Sequence, residues 1–483
     1  MAQVYENLIG GEWVAPGDRW FERTNPADTS DVIGIFAAMN EEEVARAVDA
    51  AAEGFERWKS TKLLDRGAVL IRAAAIIRER SGEMALDLTT EMGKTLSEAR
   101  GEVEAAAKFL EYYGGLARAS QGEVLADRRD GAMGWTKREP VGIVVLITPW
   151  NDPLATPARK LGPALICGNA VILKPSSHTP ISSGHLARAL QAAGLPRGAL
   201  NTVTGSGSLV GSALASTDGV AAISFTGSNP VGMALKERLA GRDVRLQTEM
   251  GGKNAALVLA DADLEHAAGE ISAAAWGQTG QRCTATSRVV VHELVYGELV
   301  DRLVRRADAV VVGPGADEAT EMGPLVSSDQ LDSVLEAVEK SRGQGATVII
   351  GGERLEGPAY DRGHFMRPTI LVEVDRDNIA WQEELFGPVL AVRPAASLDE
   401  GIDLVNEGRY GLSANIFTND LGAAHRFAED VEVGQVAINL PTAGWDVHVP
   451  FGGYKSSGSP FKEQGLEGPR FYSRVKSVVM RVT

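Results

Sequence analysis

From Val141 onward, short β-branched runs alternate with helical stretches, and that alternation limits the possible folds more than any other feature of the chain. VGIVVLIT opens the series, a helix is expected from about Pro153 to Cys167, AVILK (170–174) reads as a strand, and a second helix covers roughly 181–193. LNTVTG, AAISFTG, VRLQTEMGG and AALVLA continue it as short apolar segments separated by turns or helices. Strands and helices in strict alternation close as a doubly wound parallel sheet of α/β class, which binds ligands at the carboxyl ends of its strands. Residues from about 262 to 440 repeat the mixture, with helices near 262–275 and 295–308, then TVIIGG, TILVEV, PVLAV and QVAIN, and read as a second α/β domain. Ahead of this lie short strands and turns up to about residue 30, then a helical stretch from Asn40 to about Leu116 that opens on acidic residues suited to a helix N-terminus. Residues 119–140 read as an extended excursion, and the tail FYSRVKSVVMRV alternates like an edge strand able to pair with another subunit.

Composition removes several classes of function. The 483 residues are 44% hydrophobic and 23% charged, enough to bury a large core. With 48 basic and 64 acidic residues the net charge is −16, a field that disfavours nucleic acid and anionic membranes as partners. No run approaches the ~18 apolar residues of a membrane span. The opening MAQVYENLIGGEWV has neither a basic start nor an apolar core, so no secretory leader is expected. Two cysteines, Cys167 and Cys283, are too few for a disulfide framework and fit a reducing cytoplasm. The 54 glycines exceed the usual ~7% and point to tight turns or close backbone approach to a ligand.

Three residues carry candidate chemistry. Cys283, in GQTGQRCTATSR, sits among small and polar residues, and a thiolate is the strongest side-chain nucleophile near neutral pH. Cys167, in PALICGNAV, reads instead as a buried structural thiol. Glu249 closes a strand before Gly251-Gly252 and is a candidate general base, although a lone glutamate is more often a surface residue. Asn151, in TPWNDP, can donate to a developing oxyanion or serve as a turn or cap residue. Of the glycine loops, TGSGSLVG (204–211) has the wrong last spacing for a dinucleotide fingerprint and reads as a turn. SFTGSNPVG (224–232), with a strand, a turn and Pro230 in a first helical turn, leaves backbone N–H groups suited to a pyrophosphate.

TPWN (148–151), GNAVILKPS (168–176), FTGS with Gly232, EMGGKN (249–254), GQRC (280–283), EELFGPV (383–389) and PFGGYKSSG (450–458) occur in that order across essentially the whole chain. Together they resemble the NAD(P)-dependent aldehyde dehydrogenase superfamily. The resemblance implies that Cys283 attacks an aldehyde carbon, that Asn151 and the Cys283 N–H hold the oxyanion, and that Glu249 activates the water that releases the acid. It implies a nucleotide site formed by Thr148, Trp150, Lys174, Ser176, Ser177, Gly227, Ser228, Glu384 and Phe386. No metal is required, and no cluster with metal-ligand spacing stands out in the sequence. Members that pass the acyl group to coenzyme A lack the glutamate, so hydrolysis to the free acid is expected.

Many NAD-preferring relatives carry a glutamate where Ser177 stands, so acceptance of NADP as well as NAD is expected. Arg159, eight residues beyond Asn151, matches an arginine that clamps the distal carboxylate in succinic-semialdehyde-type relatives, but the second clamp position is Gly277, and the other reading of Arg159 is a salt bridge to a surface acid. The LPTAGWDVHVPFGG segment looks more like α-ketoglutaric semialdehyde dehydrogenases, with Trp445 and Phe451 lining the tunnel. Arg282 is expected to assist the substrate carboxylate or lower the thiol pKa. Asp152 either caps a helix, followed by Pro153, or faces the substrate; in the second case hydroxylated, aromatic or amino aldehydes become alternatives. A non-catalytic protein on this fold is the other alternative, and the retained Cys283 and Glu249 speak against it. His448 is a loop residue without a catalytic role. The expected organisation is a dinucleotide domain (1–118 and 141–251), a catalytic domain (252–445), and an oligomerisation element with the tail (119–140 and 446–483), assembled as a homodimer or homotetramer.

Overall fold

The computed structural model describes residues 2–119 and 121–481. Its first sheet has five parallel strands: β1 (Ile143–Ile147), β2 (Ala170–Lys174), β3 (Leu200–Thr202), β4 (Val220–Thr226) and β5 (Arg245–Glu249). Their spatial order is β5-β4-β1-β2-β3. Alternation within each strand feeds two cores. Val144, Leu146, Val171 and Leu173 face one layer of helices, while Val145, Ile172 and Ile223 face another that includes Val44, Ala47 and Ala51. Burial on both faces explains why these strands read as nearly unbroken apolar runs. The chain moves outward from β1 to β3 and then returns to the far side of β1, so the order reverses between β1 and β4. Their carboxyl ends, Thr148–Asn151 and Gly227–Ser228, therefore flank the crevice where such sheets bind ligands.

A second sheet of seven strands follows, from β6 (Asn254–Val258) and β7 (Thr286–His292) at its centre to Thr347–Ile350 and Gln435–Ile438 at its edges. All its neighbouring pairs are parallel except Thr347–Ile350 with Thr369–Val372. Only Met250 to Lys253 separate β5 from β6, so the two sheets meet at Gly251-Gly252. A third sheet of three strands joins Val124–Leu125, Ala132–Pro140 and the tail strand Ser473–Arg481, which pairs antiparallel with Ala132–Pro140 along its whole length.

Several sequence expectations are corrected. The helix expected from Pro153 starts as α1 at Ala155 (Ala155–Ile166), and Asp152 does not cap it. The N–H groups of Leu154 and Ala155 donate instead to Glu102, at 2.8 and 3.0 Å, so a carboxylate from another helix supplies the cap. TGSGSLVG is more than a turn: Gly207–Gly211 forms a helical turn that runs into the helix Ser212–Ser216. The segment from 446 does not all belong with the tail, because Phe451 and Gln464 line the main cavity and only Ser473–Arg481 joins the third sheet. No helix among the described residues is long and apolar enough to cross a membrane.

Candidate active site

The loop before Cys283 is wound unusually tightly. Gln278 and Thr279 hold left-handed backbone (φ 50° and 59°), and Gly280 continues it at φ 67°. Two consecutive non-glycine residues in this region carry strain that surrounding contacts must hold. Thr279 donates to the Gly323 carbonyl at 2.9 Å, and the Gln281 side chain accepts the Val326 N–H at 3.0 Å. A side chain at Gly280 would meet the Gly387 carbonyl at 2.2 Å, so the loop packs directly on backbone. Asn254, at the start of β6, donates to the Cys283 carbonyl at 2.8 Å. Burial pushes the Cys283 thiol up to about 12; the positive charge of Arg159 opposes this, while Asp152, Glu384 and Glu249 add to it. Arg282 does not serve the thiol. Its guanidinium donates to the Gln278 side chain and lies 4.0 Å from Glu98, partners that turn it out of the cavity.

Cys283 and Asn151 line one cavity of about 420 Å³, together with Asp152, Arg159, Trp445 and Phe451. Asn151 stands at the end of β1, buried, with its carbonyl accepting from Lys94 Nζ at 2.7 Å. Asp152 accepts from Lys94 at 3.2 Å and from Gln278 Nε2 at 2.8 Å. Burial disfavours its charge, yet Lys94, Arg282 and the Gln278 hydrogen bond outweigh it and hold the carboxyl below its usual range. On α1, two turns beyond Asn151, Arg159 projects into the same cavity as its spacing predicts. Its guanidinium lies 4.6 Å from the Phe451 ring centroid, and Nη1 donates to Gln464 at 3.3 Å. Arg159 Nε is 2.9 Å from Glu463, a charge contact without hydrogen-bond alignment. Trp445 is anchored by its indole N–H to Thr442 at 3.1 Å.

Glu249 closes β5 but does not line the cavity. Its carboxyl is tucked against Gly452, where a side chain would come within 2.5 Å, and neither oxygen has a hydrogen-bond partner among the described residues. Burial, reinforced by Glu463, raises its pKa well above the ordinary range against the pull of Lys160, Arg159 and Lys462. Glu463 itself is paired with Lys160, and Lys160 donates to Ser224 at 2.7 Å. Sequence reading missed this pair and the Lys94–Glu102 pair. A lysine inside the apolar stretch ARKLGPAL was the available signal, since a buried ammonium demands a partner.

At the other end of the cavity, Trp150 meets Phe386 edge-on at 5.2 Å, and Gly227 and Ser228 form the wall. Ser228 precedes the helix α2 (Asn229–Arg238) without giving it a side-chain cap, so its first N–H groups remain available. Thr148 and Thr226 have buried hydroxyls without partners. Glu384 accepts the Gly252 N–H at 3.0 Å, and burial pushes its carboxyl up to about 7. A side chain at Gly251 would collide with Glu384. These features fit an elongated polar ligand with an anionic centre and hydroxyl-bearing ends. Lys174, Ser176 and Ser177 lie outside this cavity, at the end of β2. Lys174 donates to the Pro175 carbonyl at 2.9 Å, with burial bringing its ammonium down to about 8; Ser176 accepts the His178 N–H at 3.2 Å, and Ser177 donates to Gly205 at 2.9 Å. Away from the cavity, Glu83, Asp87 and His185 bring three possible ligand atoms within 4.8 Å, a grouping across two helices that residue spacing could not reveal. Arg80 already pairs with Glu83.

The sequence profile of the Aldehyde dehydrogenase family matches residues 13–478, and the chain belongs to that family. It is an oxidoreductase of aldehyde dehydrogenase type. Over 99% of both chains it is 44% identical to the alpha-ketoglutarate semialdehyde dehydrogenase of Haloferax volcanii. It is 40% identical to the alpha-ketoglutaric semialdehyde dehydrogenase of Bacillus subtilis, over 99% of this chain and 98% of that one. A more distant relative, at 35% identity over 98% of this chain and 78% of its own, is the acylating mitochondrial methylmalonate-semialdehyde dehydrogenase of Arabidopsis thaliana. Among solved structures, betaine aldehyde dehydrogenase from Staphylococcus aureus in complex with NAD+ superposes with a TM-score of 0.96 at 31% identity, covering 99% of this chain and 95% of that one.

Proposed function

We propose that this enzyme oxidises an aldehyde bearing a remote carboxylate, with α-ketoglutaric semialdehyde as the best-supported substrate, to the free acid. The observation that carries the reading is the placement of Arg159 in the same cavity as Cys283 and Asn151. The two relatives named for that aldehyde support it. Cys283 attacks the carbonyl carbon once its thiol has lost its proton, and Arg159 is the cation that eases that loss. The negative charge then forming on oxygen is held by the Asn151 side chain and the Cys283 N–H, neutral donors fixed before reaction. NAD+ or NADP+ supplies the hydride acceptor when bound, and Gly227, Ser228, Trp150, Glu384 and Phe386 are the residues that would hold it. Cys283 is left carrying a thioester. Glu249 swings from Gly452, takes a proton from water, and the water releases the acid. Hydrolysis, rather than transfer to coenzyme A, rests on the presence of Glu249; the acylating relative makes coenzyme A-dependent product formation the opposing result to look for.

If Arg159 clamps the distal carboxylate, Arg159→Gln lowers kcat/KM for a carboxylated aldehyde by ~10-fold or more relative to an unsubstituted aldehyde of equal length, the value of a charged hydrogen bond. An unchanged ratio in steady-state assays would remove the arginine from substrate recognition. For the nucleotide, Ser177 leaves room for a 2′-phosphate, so both NAD+ and NADP+ are expected to be used. Ser177→Glu then lowers kcat/KM for NADP+ by ~10-fold or more through like-charge repulsion, and leaves NAD+ turnover near its original value. Equal effects on both nucleotides would place the 2′-position elsewhere.

The tail strand Ser473–Arg481 has its second edge unpaired among the described residues, and Val475, Val479 and Met480 on it are exposed. A nine-residue open edge of this kind supports assembly into a homodimer or homotetramer through that strand, and the free thiols of Cys167 and Cys283 support a cytoplasmic setting.

A further inference from the structure

Asp152 joins the two loops that carry the reacting groups. Its Oδ1 accepts from Lys94 at 3.2 Å and from Gln278 at 2.8 Å, five residues before Cys283. Its Oδ2 lies 3.5 Å from the side-chain nitrogen of Asn151, a long contact strengthened by the carboxylate charge. Lys94 also grips the Asn151 carbonyl oxygen at 2.7 Å, so residue 151 is held at both its main chain and its side chain. An ionised carboxylate can only accept hydrogen bonds, whereas a carboxamide presents a donor end and an acceptor end. Facing Asp152, the Asn151 amide is stable only with its NH2 end toward the carboxylate. One N–H is then directed at Asp152, and the other is left for the cavity.

We infer that Asp152 is a positioning residue which fixes the end of the Asn151 carboxamide that faces the reacting carbonyl, and is not a contact for the substrate. This rests on the reading of Asn151 as the oxyanion donor. Oδ1 of Asp152 is committed to Lys94 and Gln278, and Oδ2 faces the Asn151 amide. Asp152→Asn keeps the shape, but Lys94 and Gln278 both donate to this side chain and hold its oxygen, so its NH2 end faces Asn151 and favours the flipped carboxamide. Lys94 keeps Glu102 as its anionic partner in that variant.

Steady-state kinetics of Asp152→Asn, Asn151→Ala and the double variant test the inference, with carboxylated, hydroxylated and unsubstituted aldehydes. Asn151→Ala is expected to lower kcat by ~10²–10³. Asp152→Asn should lower kcat by ~10-fold or more, by the same factor for every aldehyde, with KM within ~2-fold of the original enzyme. Because Asp152 acts through Asn151, the double variant should be no more than ~2-fold slower than Asn151→Ala alone. An unchanged kcat in Asp152→Asn overturns the inference. A loss that differs among aldehydes overturns it in favour of substrate contact, and a loss that adds fully to that of Asn151→Ala overturns it in favour of a general structural role. A full rate in Asn151→Ala removes the oxyanion reading as well. Should Asp152→Asn not yield folded protein, Asp152→Ser, smaller and neutral, carries the same comparisons.

Discussion

Cys283→Ala is expected to abolish turnover, with a loss of ~10⁴-fold or more in kcat, because the cavity wall has no second thiol among the described residues to take over the covalent route. Cys167, the other thiol, is held in the core beside the Pro469 carbonyl, and burial pushes it up to about 12 as well. The variant should still bind nucleotide, since Cys283 belongs to the wall and not to the framework of the nucleotide sheet. With its thiol near 12, the original enzyme without nucleotide should react with iodoacetamide ~10-fold faster for each pH unit between 7 and 10. A plateau beginning near neutrality would mean that Arg159 outweighs the burial that raises the thiol. Substantial aldehyde oxidation by Cys283→Ala would remove covalent catalysis altogether.

The second large effect concerns release of the acid. Glu249→Gln should lower kcat by ~10²–10⁴ while the oxidation half-reaction proceeds once, giving a burst of reduced nucleotide equal to the enzyme present. Mass spectrometry of the quenched variant should find the acyl group on Cys283. The raised pKa of Glu249 sets the sign of the pH response: the base form is lost as pH falls through that raised value, so hydrolysis should accelerate as pH rises through it in the original enzyme and lose that dependence in the variant. A variant that neither accumulates the acyl group nor slows would assign the water to another residue, and the buried Glu463–Lys160 pair beside it would be the first place to look.

The parts of the site carried by local pattern were legible. Strand ends followed by TPWN and TGSN locate Asn151, Gly227 and Ser228, and an interval of eight residues puts Arg159, on the helix that follows, in the same cavity as Asn151. What escaped was decided by partners far away in the chain. Asp152-Pro153 has the residues of a helix cap, but Glu102 reaches the same N–H groups first, and nothing within a few residues of position 152 could reveal that. Arg282 sits next to the nucleophile in sequence, yet the left-handed backbone at Gln278 and Thr279 delivers it to Gln278 and Glu98. Lys160 and Glu463 are separated by 303 positions, so their pairing depends on the whole fold. The segment after 446 adjoins the tail in sequence, yet Phe451 and Gln464 complete the cavity.

That last arrangement has a consequence for how the enzyme is made. The nucleotide sheet is finished by residue 249, and Cys283 follows soon after it on the ribosome, but Trp445, Phe451 and Gln464 are added only much later. A nascent chain therefore carries its thiol for some 160 residues of elongation, at ~5–20 residues per second, before the pocket around it exists. Through that interval the cysteine is an ordinary thiol without the cavity walls that present an aldehyde to it.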